Sequence, residues 1–240
     1  QLLANERGAH DPFHVLALVA GRFEMGNALR HWAYLGYDWT QPDLPPTWSG
    51  LIFANEFFDA LPVHLLQKEA ESWVELFVTE AQDALRLQVG EPGTPELLAY
   101  AEQYGDAIPD GGLLEACLYM EAWLQKLSHI LEVGHLLLID YGVDSRELVR
   151  FPQGTLLAYR KHRAHARVLD SPGSQDITAH VNFTWLLDCA RRAGFHCEQS
   201  TSLGNWTLSV WHEKDLTKRW AQADQQWRLQ WKQIVFGLGE

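Results

Sequence analysis

The sequence predicts an α/β protein: an open, largely parallel sheet covered by helices and interrupted by a small antiparallel insertion. Two observations predict it. Leu51-Ile52-Phe53-Ala54 is a short, unbroken apolar run that stops at Asn55-Glu56, and unbroken rather than alternating apolar runs mark strands buried on both faces, as in parallel sheets. Further on, a helical pattern from Leu114 to Leu131, a glycine at 134 and the apolar stretch His135–Ile139 ending on Asp140 follow one another. Helix, glycine, apolar strand, acid is the repeating unit of such a sheet. With 240 residues and 47% hydrophobic content, the chain can bury a core of that kind.

The elements follow in order. Phe13 to Ala20 is apolar enough for a buried strand, and Gly21 to Gly26 leads into a helical pattern through Leu29, Trp32 and Leu35. The Pro-rich loop Pro42 to Pro46 breaks the chain before the strand at Leu51. Between residues 63 and 89, Val63-His64-Leu65, Trp73 to Val78 and Leu85 to Val89 are strand-like pieces separated by charged turns, which reads as an antiparallel meander. A helix is expected over Pro95–Tyr104, then a turn at Pro109–Gly112, then the helix from Leu114, with Gly134 as its C-terminal stop. The polar segment 154–182 reads as a long functional loop or lid. A helix from Phe183 to Ala193 ends at Gly194, a strand is expected near Phe195–Gln199, and Trp220, Trp227, Trp231 and Ile234 share one helical face in the tail. The expected organisation is a partial core over 1–62, an inserted meander and helix over 63–112, and the rest of the core over 113–240.

Composition excludes several functions. A formal charge of -12 with no clustered Lys/Arg face argues against nucleic acid, so the expected partner is cationic or neutral. Cys117, Cys189 and Cys197 show no CxxC spacing, which indicates neither a disulfide framework nor a zinc site. His162, His165 and His180 lack the helical HExxH context of a metal site, and no metal is expected. The longest apolar stretches fall far short of the roughly 20 residues a membrane span requires.

Ligands of open α/β sheets bind beyond the carboxyl ends of the strands. Two places qualify. In Asn55-Glu56-Phe57-Phe58-Asp59-Ala60-Leu61-Pro62, two carboxylates three residues apart occupy the turn leaving a buried strand; the second place is Asp140-Tyr141-Gly142. A carboxylate there can accept paired hydrogen bonds from a planar guanidinium. Equally, Glu56 and Asp59 can cap a following helix and favour its positive end.

The segments GLIFANEFFDALPVH, GHLLLIDYG, GTLLAYRKH and SPGSQDITAHVNFTWLL, in this order and spacing, resemble the MidA family, which includes the mitochondrial complex I assembly arginine methyltransferase. The resemblance spans roughly residues 48 to 212. It implies a class I methyltransferase, Rossmann-like sheet with an insertion, S-adenosylmethionine as methyl donor, and a protein acceptor whose arginine is symmetrically dimethylated. It places Asn55 and Glu56 between donor and acceptor nitrogen with Asp59 in support, Glu56 orienting the guanidinium and helping its proton leave. The acceptor side is implied to hold Asp140, Tyr141, Arg160, His162, Asp176, Thr178, His180 and Asn182. Against this stand ordinary turn and cap roles, Asn182 or Thr184 capping the helix from Phe183 among them.

One family feature is missing. The family's glycine-rich cofactor turn after the first strand has no match in Ala20-Gly21-Arg22-Phe23-Glu24-Met25-Gly26, and Gly21 to Asn55 is too short for the expected helix, strand, helix and strand. No cofactor residue is therefore assigned. The first forty or so residues are expected to be a divergent connection into Leu51, with the turn upstream of Gln1 and a last strand beyond Glu240. The alternatives are a binding or assembly factor without catalysis and a methyltransferase of small molecules. The expected location is the cytoplasm of a bacterium, or the mitochondrial matrix of a eukaryote.

Overall fold

In the computed structural model the apolar runs line up in parallel. β1 (His14–Val19) pairs with β2 (Ala33–Asp38) on one side and β3 (Trp48–Asn55) on the other. The chain then leaves this sheet for a second, antiparallel one: β4 (His64–Glu69), β5 (Ser72–Ala81) and β6 (Ala84–Gly90) form the expected meander. Helix α1 (Pro95–Tyr104) follows, then β7 (Leu113–Ala116), helix α2 (Tyr119–Ile130) and β8 (Leu131–Ile139). β8 returns to the parallel sheet beside β3, giving the order β2-β1-β3-β8. The described residues are 14–19, 33–38, 44–82, 84–160, 163–210, 218 and 220–222.

Tertiary pairing overrides local pattern in four places. The helical spacing read through Leu35 gives way to β2, whose register with β1 runs from His14↔Ala33 to Val19↔Asp38. The opening residues thus carry two parallel strands rather than a connection into Leu51, because a strand beside β1 satisfies its open row of backbone groups. Residues 20–32, with the Gly21–Gly26 turn, lie outside the described residues. Leu114, read as the start of a helix, lies in β7 opposite Leu66 of β4, and α2 begins only at Tyr119. From there Met120, Leu124, Leu127 and Ile130 bury one face.

Gly134 does not stop the helix. It sits inside β8 opposite Gly50 of β3, with φ +144°, and a Cβ there would lie 1.8 Å from the Gly50 carbonyl oxygen. The glycine is required by the approach of two strands.

The segment read as a lid is built from short strands. β9 (Gly142–Val143) pairs in parallel with β13 (Val181–Asn182), while β10 (Leu157–Arg160), β11 (Arg163–His165) and β12 (Asp176–Thr178) make an antiparallel sheet in the order β11-β10-β12. Helix α3 (Phe183–Arg192) follows. Phe195–Gln199, expected as a strand, has no regular structure. Both large sheets share one core, in which Ile52, Phe57, Phe58, Leu66, Leu114, Met120, Leu124 and Trp185 are buried together. A second compact unit, Cys197–Glu240, contains α4 (Leu203–Val210); most of the tryptophan-bearing tail lies outside the described residues.

Gly134→Ala is expected to lower unfolding free energy by about 3 kcal/mol or more, since the added methyl meets backbone that cannot yield. Urea unfolding measures it; a loss within 0.5 kcal/mol, roughly the scatter of surface substitutions, contradicts the close approach.

Candidate functional site

β3 and β8 end side by side, with Asn55 opposite Ile139. Beyond that pair the chain turns on Glu56, whose backbone N–H donates to the Ile139 carbonyl at 2.8 Å and whose φ is +48°. A non-glycine residue enters that left-handed region only when its surroundings enforce it. The enforcement comes from the next two residues. Phe57 and Phe58 are buried, with ring centroids 5.3 Å apart, and Phe57 meets Trp123 edge-on at 5.0 Å. No helix follows the turn: the next element is β4, so Glu56 and Asp59 cap nothing and the capping alternative falls away.

Asp140 ties the turn to the end of β8. One of its oxygens accepts from the Phe58 N–H at 2.9 Å and the other from the Tyr141 N–H at 2.9 Å. Two further backbone bonds bring in the segment after β12: Ala179 N–H donates to the Asp59 carbonyl at 3.0 Å, and Val181 N–H to the Tyr141 carbonyl at 3.0 Å. Three carboxyl groups, Glu56, Asp59 and Asp140, thereby converge at the carboxyl ends of two parallel strands. Glu56 is exposed, whereas Asp59 is only 4% exposed and its Oδ1 has no hydrogen-bond partner among the described residues.

Electrostatics follow from this crowding. Burial, and then the neighbouring Asp59 charge, push the Asp140 carboxyl up to about 7. Burial and Asp59 also raise Glu56. Asp59 is raised by burial too, against which the Tyr141 hydroxyl and nearby backbone N–H groups pull it down. His180 is lowered by burial, partly opposed by Glu115. Such a cluster holds a proton readily and attracts a cationic group rich in N–H donors.

The structure sorts the expected residues. Asn55, Glu56, Asp59, Asp140, Tyr141 and Thr178 meet at this end of the sheet. The Asp140 oxygens are already engaged by backbone, so this carboxylate is a brace for the turn and not the free ligand group expected of it. The His180 ring lies between Tyr141, at 5.8 Å, and Phe151, at 5.0 Å. Asn182 is buried and takes the cap role: its Oδ1 accepts from the backbone of Thr184 and Trp185 and from the Ser145 hydroxyl, and its amide donates to the Tyr100 hydroxyl. Arg160 and Asp176 are exposed at the ends of β10 and β12. His162 lies outside the described residues.

Sequence reading missed Glu115. This buried residue on β7 accepts from the Thr155 N–H at 2.6 Å and the Leu156 N–H at 3.2 Å, pinning the entry to β10. The signal was an acid inside the apolar run Leu113–Cys117, which demands partners once buried. A groove of about 470 Å³ between α1, α2 and α3, lined by Tyr104, Glu121, Trp185 and Arg192, includes none of the carboxylate cluster. Among the described residues no cluster of three His, Cys, Asp or Glu is placed to hold a metal, and no helix is long and apolar enough to cross a membrane.

Comparison with known proteins adds the following. A family model described as "Putative S-adenosyl-L-methionine-dependent methyltransferase" matches residues 25–201. The mitochondrial protein arginine methyltransferase NDUFAF7 of Rattus norvegicus is 33% identical over 177 residues, covering 69% of this chain and 37% of the relative. The Mus musculus protein is 34% identical over 180 residues, covering 70% of this chain and 38% of its own length. The chain thus spans less than two fifths of the length of these relatives. In fold it is similar to a Burkholderia thailandensis protein crystallised with S-adenosyl-homocysteine, at TM-score 0.78 and 24% identity, over 93% of this chain and 67% of that one. A native structure of an uncharacterized protein from that organism gives 0.74 and 23%, over 93% and 70%.

Asp140→Asn is expected to destabilise the fold by about 1–3 kcal/mol, because an amide offers one acceptor to two backbone donors. The sign with pH is fixed by the raised carboxyl. The folded protein holds this proton from the ordinary 3.8 up to about 7, so the group's contribution is full at low pH and is lost as pH rises through that window. The advantage of wild type over Asp140→Asn should therefore shrink from pH 4 to pH 7, roughly the span between those two values, in urea titrations; a growing advantage contradicts it.

Proposed function

The chain belongs to the S-adenosyl-L-methionine-dependent methyltransferase family whose model spans its residues 25–201, and from that premise we propose that it methylates arginine in a protein acceptor. The observation that carries the reading is the acidic end of the parallel sheet, where the exposed Glu56 carboxylate stands beside a buried Asp59 with one oxygen unpartnered among the described residues. A guanidinium is planar, cationic and offers five N–H donors, so it complements two neighbouring carboxylates. The rat and mouse relatives are protein arginine methyltransferases by name, which supports the same acceptor.

S-adenosylmethionine fits the site by charge, since its sulfonium is a cation and the strand ends are acidic; when bound it supplies the methyl group. The rest is the work of this chain. Glu56 accepts an N–H of the guanidinium and orients its nitrogen; as the nitrogen gains the methyl it loses that proton to the Glu56 carboxylate. Burial and the Asp59 charge, which raise Glu56, make it a better proton acceptor than a free surface carboxylate. Asn55 at the strand end, with Asp59, confines the nitrogen from the sheet side, and Thr178 and His180 stand on the acceptor side. Segment 63–112 serves as an insertion in the methyltransferase core. A respiratory-complex subunit is the proposed acceptor protein, and the proposed location is the mitochondrial matrix in a eukaryote, as in the relatives, or the cytoplasm of a bacterium.

Calorimetry with S-adenosylmethionine, on this chain and on a longer version that includes upstream sequence, is the direct test. Binding is expected, and Glu56→Gln should then lower methyl transfer to an arginine-bearing peptide about 100-fold with donor affinity unchanged. Absence of binding by both chains would sink the enzyme reading in favour of a binding or assembly factor.

A further inference from the structure

The two faces of the inserted antiparallel sheet differ in kind. Directly paired residues share a face and successive residues alternate. One face puts Leu66 and Leu114 into the core, with Trp73 packed against it. The other is aliphatic across β5 and β6: Val74, Leu76 and Val78 alternate along β5, and the register sets Val89 opposite Leu76, Leu87 opposite Val78 and Leu85 opposite Glu80. At the β7 end this face is covered, for Glu115, which shares it through Leu65 and Leu76, holds the Thr155 and Leu156 N–H groups. Towards β6, the outer strand in the order β6-β5-β4-β7, it stays open, with Val78 57%, Val89 53% and Leu87 44% exposed. Single exposed apolar residues are ordinary, whereas a contiguous aliphatic face marks a surface that meets a partner.

Charge selects the partner. The basic residues of segment 64–91 are Lys68 and Arg86, and both stand on the core-side face, opposite Trp73 and Thr79. Lys68 is engaged there: its ammonium donates to the Ile108 carbonyl at 2.9 Å and lies over the Trp73 ring. Acids border the aliphatic face instead. Glu69, opposite Ser72, and Glu80, opposite Leu85, belong to it and are exposed, and exposed Glu71 and Glu91 stand in the β4–β5 turn and just beyond β6. A second copy laid on this face would set one acidic rim against another, and an anionic lipid surface would be repelled for the same reason. We propose that the open β5–β6 face docks an amphipathic helix of another protein, aliphatic along one stripe and flanked by Lys or Arg. Its stripe covers Val78, Leu87 and Val89, and its cations meet Glu69 and Glu80. A helix fits because two strands about 4.8 Å apart present, with their side chains, a strip roughly 10 Å wide, the width of one helix. The surface lies on the antiparallel sheet, whereas Glu56, Asp59 and Asp140 stand at the strand ends of the parallel one, so the proposal does not depend on the acceptor proposed above.

The probe is a fluorescein-labelled helical peptide of about 18 residues, or five turns, with leucines at i, i+3, i+4 and i+7 spacing and lysines beside them. A twin carries glutamates in place of the lysines, and fluorescence anisotropy with the full chain reads both affinities. The lysine peptide is expected to bind about 10-fold or more tightly than its twin. Because the whole chain is acidic, at -12, that preference alone does not locate the contact; the variants do. Leu87→Ser should weaken the lysine peptide about 10-fold, and Glu69→Lys combined with Glu80→Lys should weaken it by a similar factor while narrowing its lead over the twin. Arg86→Ala, on the opposite face, should leave it unchanged. No binding of either peptide, equal binding of both, or an affinity unmoved by Leu87→Ser and by the Glu69/Glu80 pair overturns the proposal. If Leu87→Ser loses its thermal transition, the exposed Glu69/Glu80 pair decides alone. A dimer in sedimentation, or flotation with phosphatidylcholine vesicles, that Leu87→Ser abolishes gives the face to a second copy or to a membrane and overturns it as well.

Discussion

The site hangs on the carboxylate of Asp140. By accepting from Phe58 and Tyr141 at once, it joins the turn after β3 to the end of β8 across 82 residues of sequence. Everything chemical at this end is placed relative to that joint. The turn puts Glu56 at the strand end and Asp59 beneath it, while the Tyr141 carbonyl receives Val181 and the Asp59 carbonyl receives Ala179. Without the joint, Phe58 would leave a buried N–H unpaired and the acidic groups would lose their common frame.

That joint depends in turn on how closely β3 and β8 run. Gly50 and Gly134 face each other where a Cβ cannot fit, so the strands keep one register from Ser49↔Val133 to Asn55↔Ile139. Because the register is fixed along the whole ladder, Asp140 arrives beside Phe58 and not one residue away, where its side chain would point to the other face. A packing constraint at one end of two strands thereby sets the geometry of acids at the other.

The same arrangement is electrostatically uneasy. Three carboxyl groups share a partly dry space, and burial raises each of them. Backbone hydrogen bonds from Phe58 and Tyr141 offset part of this cost without cancelling it. Stability given up to hold acids together is a familiar mark of a site shaped by its ligand, and a cation with several N–H donors relieves the repulsion.

Much of this was legible in the chain. The parallel strands β1, β3 and β8, the meander, α1, and Asn55, Glu56, Asp59, Asp140 and Tyr141 as residues at strand ends follow from apolar runs and the polar residues that stop them. Those signals are local, set by side-chain burial and period. What only tertiary structure decided was pairing. Ala33–Asp38 is a strand because β1 stands beside it, Leu114 belongs to β7 because β4 receives it, and Gly134 is a point of contact between strands because Gly50 lies opposite. Whether a carboxylate is a brace, like Asp140, or has an oxygen to offer, like Asp59, depends on which backbone N–H groups come within 3 Å. The physical reason is reach: sequence determines which groups are acidic or apolar, but a hydrogen bond between residues 58 and 140 exists only once the sheet has brought them together.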